Sequence, residues 1–261
     1  MPPTEEDHVP TVTPNGPHDR LPLIEHQLAE TGSVRIIALA EELGVSEMTI
    51  RRDLSELETL GVARRVRGGA VALGPEPFAN RHRHQAKAKG RIAEKLLGLL
   101  PRRGTVAFDA STTVHRVASL LSSAQDLVVI TNGIDTFSTL AETPGVSATL
   151  TGGSREPRTG SLVGPIASRA SDDFLFDMFM CSGTALDPRV GSSEASLAEA
   201  EVKRSLSRAS ERIVLAVDHS KLDRRGDARV FRIDQIDILV TDLEPGDPRL
   251  DPYRAAGMQI H

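Results

Sequence analysis

Two sets of residues in this chain have types and spacings suited to chemistry. The first is "SEMTIRRDL", Ser46 to Leu54. A serine placed just before a helix accepts hydrogen bonds from its first turn. Arg51 and Arg52 carry forked donors that match phosphate oxygens and guanine edges. Asp53 would repel phosphate, so it is expected to pair with an arginine or brace the scaffold. Arg64, Arg65 and Arg67 follow in "ARRVRGGA" and suit phosphate or a minor groove. The second set consists of polar residues that directly follow apolar runs. These are Asp109-Ala110-Ser111-Thr112-Thr113, Thr131-Asn132-Gly133, Gly152-Gly153 with Arg155 beyond, Gly183, and Asp218-His219-Ser220-Lys221. Hydroxyls and free N–H groups at a helix start hold anions. Asp109 suits a sugar hydroxyl, Lys221 an anion, and Asp218 either Lys221 or a hydroxyl. Phosphate, hydroxyls and carbonyl together describe a phosphorylated sugar. Each feature also has a plainer reading: a solvated helix face, an ordinary cap, or a surface salt bridge worth under about 1 kcal/mol.

The elements that must position these residues follow from periodicity. Leu23, Ile24, Gln27 and Leu28 mark a first helix that ends at Thr31-Gly32. Ile36, Leu39, Ala40 and Leu43 mark a second, with Gly44 as a left-handed cap. Ile50, Leu54, Leu57 and Leu60 mark a third, stopping at Gly61. "VARRVRGGAVAL" reads as a β-hairpin. This is the plan of a winged helix-turn-helix, whose third helix enters the major groove by its N-terminal end. Ser46, Glu47, Thr49, Arg51 and Arg52 then lie on the DNA side, though not all at once. "GPEPFANR" has the composition of a linker. Beyond it strands alternate with helices, from "GTVAFDA" to "DILVTD", which predicts a parallel sheet covered on both faces. Ligands in such sheets bind at the carboxyl ends of the strands.

Bulk properties narrow the function classes. The 261 residues suffice for a small and a larger domain, and no apolar run is long enough for a membrane span. Net charge is −5, which taken alone argues against a general nucleic-acid binder, so any DNA contact must come from a local patch. Between Val62 and Arg91 such a patch exists. Arg64, Arg65, Arg67, Arg81, Arg83, Lys87, Lys89 and Arg91 are opposed only by Glu76. The single cysteine, Cys181, precludes an internal disulfide and any zinc cluster built on cysteines; it reads as a buried, inert thiol and fits a reducing cytoplasm. His82 and His84 have no acidic or Cys partners nearby, so phosphate contact or simple exposure is expected rather than a metal site. No cofactor is expected. The Pro- and Thr-rich start is not a signal peptide and reads as a disordered tail over residues 1–18.

Arg20, Ile24 and Leu28, then Ser46, Thr49, Ile50, Arg51, Arg52, Asp53 and Leu54 at a set distance, and the trailing "RVRGGA", closely resemble the DNA-binding end of the DeoR family of bacterial transcriptional regulators. The resemblance runs from about Arg20 to Leu243. It implies a sensor domain similar in fold to ribose-5-phosphate isomerase and glucosamine-6-phosphate deaminase. The family's "D-x-G-T-T" is Asp109-Ala110-Ser111-Thr112-Thr113 here, with Ser111 in place of Gly, a departure that would either narrow the pocket or add a donor and so leaves the details of the phosphate contact open. Its "T-N", "G-G" and "D-x-S-K" elements correspond to Thr131-Asn132, Gly152-Gly153 and Asp218-Ser220-Lys221. Its Glu-Lys element falls loosely on Glu201 and Lys203, with Glu194 and Glu199 competing for the acidic role.

The expected fold is therefore α/β: a winged helix-turn-helix over 19–74, a linker over 75–88, and a mostly parallel effector domain over 89–261. The expected function is a cytoplasmic, homo-oligomeric (dimer or tetramer) regulator. It would repress a carbohydrate operon by binding operator DNA and would be modulated by a sugar phosphate. The alternative is a sugar-phosphate isomerase or deaminase with an accessory helical domain. Asp109, Asp218, Glu201 and Lys203 would be its acid-base candidates. Fold similarity does not carry catalysis, so an enzyme is not expected.

Overall fold

The computed structural model describes residues 17–73, 78–157 and 159–261. Most of the tail expected over 1–18 lies outside them, although a helix already begins at Pro17. The chain divides into two compact units, Met1–Gly74 and Pro75–His261.

In the first unit α1 (Pro17–Thr31), β1 (Ser33–Arg35), α2 (Ile36–Leu43) and α3 (Glu47–Thr59) precede a hairpin of β2 (Ala63–Val66) and β3 (Gly69–Ala72). Ile24, Leu28, Leu39, Ile50, Leu54 and Leu57 form its core. Leu23, expected on the apolar face of α1, is instead 48% exposed, because Ile24 and Leu28 already fill that stripe. Gly44 takes φ +64°, and its N–H closes α2 on the Ala40 carbonyl. The hairpin turns through Arg67-Gly68, with Gly68 at φ +82°. β1, absent from the sequence reading, pairs antiparallel with β3 and makes a three-stranded sheet, β1-β3-β2. Gly69 permits that pairing: a Cβ there would sit 2.0 Å from the Val34 carbonyl oxygen.

The second unit begins with α4 (Phe78–Arg83) and α5 (Ala86–Leu99). The expected linker is thus largely helical. Thr112 Oγ1 and an Arg116 guanidinium N–H meet the carbonyls of Arg81 and His82 at the end of α4. Then come β4 (Gly104–Phe108), α6 (Thr112–Leu120), β5 (Leu127–Thr131), α7 (Ile134–Ala141), β6 (Val146–Leu150), and a short pair β7 (Ser154–Arg155) and β8 (Leu162–Val163). α8 (Pro165–Arg169), β9 (Met178–Cys181), β10 (Ala185–Asp187), β11 (Gly191–Glu194) and α9 (Leu197–Arg208) follow. β12 (Ile213–Ala216), β13 (Ala228–Arg229), β14 (Ile238–Val240), α10 (Asp251–Ala255) and β15 (Gln259–Ile260) complete it.

Seven strands form one sheet in the order β15-β14-β12-β9-β4-β5-β6, every pair parallel. Alternate residues feed two cores. Val106, Phe108, Met178, Met180 and Val214 join α5 and α6 on one face. Ala107, Phe179, Cys181 and Leu215 join α8 and α9 on the other. A sheet buried on both faces needs such unbroken apolar runs. β4, β5 and β6 step outward one way; the chain then returns to β9 on the other side of β4 and steps the opposite way. The carboxyl ends of β4 and β9 therefore flank the reversal of strand order, where open α/β sheets bind ligands.

Candidate DNA-reading face and effector site

Local chemistry sorts the arginines of the first unit into roles. Arg20 is buried and forks onto Asp53, Nε to Oδ2 at 2.8 Å and Nη2 to Oδ1 at 3.2 Å. Asp53, 1% exposed, thus braces α3 against α1, as its charge implied. Ser46 caps α3 by accepting from the Thr49 N–H at 3.1 Å, and the two hydroxyls meet at 2.9 Å. Arg51 pairs with Glu47 one turn back at 2.9 Å, both about half exposed. Arg65 donates from its guanidinium to the Ser55 hydroxyl and from its backbone to Glu58 Oε1. Arg52, Arg64 and Arg67 are exposed and have no acidic partner among the described residues. Arg20, Thr49, Arg51, Arg52 and Arg65 line one cleft of about 510 Å³.

In the second unit the parallel sheet brings the polar strand ends to one edge. In spatial order these are Asp218 after β12, Ser182-Gly183 after β9, Asp109 after β4, Thr131-Asn132 at β5 and Gly152-Gly153 after β6. Asp109 spans the reversal point. Its Oδ1 accepts from the Ser111 N–H at 3.0 Å and its Oδ2 from the Ser182 N–H at 2.8 Å. Lys203, on α9, adds an ion pair to Asp109 at 2.9 Å, another to Glu194, and a hydrogen bond to the Ser182 carbonyl at 2.7 Å. Burial opposes the Lys203 charge, but Asp109 and Glu194 more than offset it and raise its pKa well above the ordinary lysine value. Asp109 and Lys203, read from the sequence as ligand contacts, are therefore a buried brace that joins β4, β9 and α9. Glu194, not Glu201, is the acidic partner; Glu201 lies on the surface with Arg204 and Arg208.

Local hydrogen bonds set the other expected residues at the strand ends. Ser111 caps α6 through the Val114 N–H at 3.1 Å, so Ser111, Thr112 and Thr113 open that helix at the strand edge. Thr131 Oγ1 accepts from the Gly133 N–H, and Asn132 Nδ2 donates to the Leu162 carbonyl. Asn132 Oδ1 and Thr136 Oγ1 are buried without a partner among the described residues. Gly153, at φ +113°, lies so close to the Val163 carbonyl that a Cβ would be 2.7 Å away. Asp218 accepts from the Ser220 N–H at 3.0 Å and from its hydroxyl, rather than fixing Lys221. Cys181 is fully buried, and burial pushes its thiol up, which keeps it protonated and inert.

Sequence reasoning missed several groups here. Arg81 and Lys89, counted towards a DNA patch, belong to the second unit, and Arg91 pairs with Asp242 there. Lys89 left a signal in the sequence. With Ile92, Ala93 and Leu96 it occupies the apolar stripe of α5, where a solvated lysine has no place. His82 and His115 stack edge-to-face with ring centroids 5.7 Å apart, beside Phe78. Glu199 accepts from the Ser161 hydroxyl at 2.7 Å, and burial pushes its carboxyl up.

The sequence model of the DeoR C terminal sensor domain matches residues 84–243, and that of the DeoR-like helix-turn-helix domain matches residues 20–76. The chain belongs to the DeoR family. It is a DNA-binding transcriptional regulator by that membership. One relative is the HTH-type transcriptional regulator GolR of Listeria innocua, 29% identical over 94% of this chain and 98% of its own. Another is the glycerol-3-phosphate regulon repressor of Escherichia coli, 30% identical over 83% of this chain and 87% of its own. Both are named as regulators of transcription, which places the chain with regulators rather than with isomerases or deaminases. Among solved structures, ribose 5-phosphate isomerase A from Neisseria gonorrhoeae covers 52% of this chain and 53% of its own at 16% identity, with a TM-score of 0.36. At that distance the likeness carries nothing about chemistry.

Proposed function

We propose that this family member is a cytoplasmic repressor of a carbohydrate operon, acting as a homo-oligomer on repeated half-sites and modulated by a phosphorylated sugar or polyol. The observation that carries the DNA side is the sorting of the arginines. Arg20 is consumed as a brace, and Arg51 and Arg65 are held by Glu47 and Ser55. Arg52, Arg64 and Arg67 stay exposed, with no acidic partner among the described residues, which suits contact with a polyanion. In this reading Ser46, Glu47, Thr49, Arg51 and Arg52 present α3 to the major groove, and Arg64, Arg65 and Arg67 present the hairpin to the backbone. The effector sits at the sheet edge. The hydroxyls and N–H groups of Ser111, Thr112 and Thr113 and the ammonium of Lys221 meet its anionic group. Thr131, Asn132, Gly152, Gly153, Gly183 and Asp218 shape the rest, while Asp109 and Lys203 hold the strand ends in register. A relative named for repression of a glycerol-3-phosphate regulon supports both the sign of regulation and the phosphate.

Effector binding changes operator affinity only by as much as it discriminates between two states of the chain. The test is a gel shift with the DNA upstream of the chain's own gene, repeated with phosphorylated sugars and polyols. A shift that one of these ligands weakens is expected. No shift under any condition, together with turnover of a sugar phosphate, overturns the proposal in favour of an isomerase or deaminase.

A further inference from the structure

We infer that Met48 reads sequence: its side chain meets the C5-methyl group of a thymine on the floor of the major groove, one in each operator half-site. The inference rests on the DNA-reading face proposed above. It adds an apolar, base-specific contact to a surface otherwise made of arginines and hydroxyls.

α3 has one buried stripe, made of Ile50, Asp53, Leu54 and Leu57. At about 100° per residue, the position farthest from that stripe is Met48, about 170° from its centre. Arg52 and Ser55 lie on either side of it, each at about 150°. Arg51 is at about 110°, Thr49 at about 90° and Glu47 at about 70°. Met48 therefore crowns the ridge that points away from the core of the first unit. It is 70% exposed, more than any other large apolar side chain of that unit among the described residues. It is also the second residue of α3, in the turn that contacts base edges when such a helix enters the major groove.

A single exposed apolar residue is ordinary on a protein surface. Two features set this one apart. The first is its surroundings. Met48 lines the same cleft as Thr49, Arg51, Arg52 and Arg65, and Ser55 on its flank accepts from the Arg65 guanidinium at 2.7 Å. An uncharged thioether thus sits in the middle of a cationic face. Charge complementarity makes duplex DNA the occupant of that face, and the helix-turn-helix match over residues 20–76 agrees. The second feature is what Met48 lacks. An arginine can serve a phosphate anywhere along the backbone, but Met48 has no N–H or O–H to donate. Placed where α3 reaches deepest, it needs an apolar partner on the groove floor. The thymine methyl is that partner; the other base-edge groups there are hydrogen-bond donors and acceptors. An unbranched side chain with several rotatable bonds adapts to the methyl without strain. Arg51, held to Glu47 at 2.9 Å, is turned towards the flank of the helix, nearer the phosphate strands. Arg52, four positions after Met48 on the same ridge, supplies positive charge beside the contact.

The test uses the full chain and the fragment upstream of its own gene that it shifts. Each thymine is replaced singly by deoxyuridine, which removes one methyl group and leaves base pairing and charge unchanged. At one thymine in each half-site the parent should lose roughly fourfold in affinity, the effect of uncovering about one methyl group. Met48→Ala should lose at least that much on the unmodified fragment. At the same thymine it should lose nothing further on replacement by deoxyuridine, which is the signature of a direct contact in a double-mutant cycle. Its thermal unfolding should match the parent's, because the side chain lies in solvent and alanine suits a helix. Its salt dependence should also match, because no phosphate contact is removed. Met48→Leu should keep the preference for thymine over uracil. A Met48→Ala variant that weakens operator and unrelated DNA alike overturns the inference. So does a uracil penalty of equal size in parent and variant, or its absence at every position; the arginine face then stands without Met48, since the parent still binds the operator. A parent that shifts no specific fragment overturns the DNA-reading proposal and this inference together.

Discussion

At the residue scale, Asp53 and Arg52 are neighbours in sequence with opposite fates. Asp53 is buried under a bidentate arginine, while Arg52 stands in solvent beside it. Removing one partner of a buried pair leaves the other charge uncompensated, at a cost of about 3–5 kcal/mol. Asp53→Ala should therefore lower the stability of the first unit by roughly that amount, read by denaturant unfolding, and lose operator binding through misfolding. Arg52→Ala should change stability by less than about 0.5 kcal/mol. If Arg52 meets phosphate, the substitution should weaken binding to all sequences alike and reduce the salt dependence by about one counterion; if it meets a base, specificity should relax instead. Normal stability in Asp53→Ala would show that Arg20 and Asp53 do not brace the helices. Much of this was legible beforehand. A carboxylate in a DNA-facing turn must be turned inward, and Asp53 is. Its partner was not legible, because Arg20 is 33 positions away and only the packing of α1 on α3 brings it there.

At the scale of elements, the helices and main strands follow from periodicity, and the misses share a cause. β1 and β15 are two or three residues long and exist because a neighbouring strand offers them a ladder. α4 has no apolar repeat to announce it. It is helical because Phe78 and His82 pack on His115, and because α6 side chains cap its carbonyls. The same dependence gives α4 a pH response. Burial is the main influence lowering the pKa of both His82 and His115, with Arg116 adding to it in each case and Asp135 opposing it. A histidine whose folded pKa lies below its unfolded value contributes fully above about pH 6.5, and that contribution is lost as pH falls through the folded value. The α4–α6 contact should therefore loosen below about pH 6, seen as faster amide exchange in residues 78–83 while the central strands stay protected. His115→Gln should flatten that response. A response that persists unchanged in His115→Gln would assign it to other groups.

At the scale of the whole molecule, the chain holds two cores with different tasks. The first closes around Ile24, Leu39, Ile50 and Leu54, the second around the two faces of the parallel sheet. Every candidate effector group lies in the second unit and every exposed DNA-facing arginine named here lies in the first. Sensing and reading are thus divided between units, and the coupling between them is a property of the full chain. Residues 1–74, expressed alone, should keep their own core, though a domain this small is only marginally stable. Binding of this fragment to operator DNA should be weaker than that of the full chain, because the proposed homo-oligomer, which would engage two half-sites at once, is not available to it. Its affinity should depend on salt through its arginines, yet at matched ionic strength it should not distinguish glycerol 3-phosphate from chloride. Fluorescence anisotropy on a labelled half-site reads both quantities. A fragment that still released DNA to the phosphorylated ligand would place the effector on the DNA-reading unit itself, contrary to the site at the sheet edge. A fragment blind to it, beside a full chain that responds, would assign the response to the second unit and leave residues 74–83 as the first place to look for how it is transmitted.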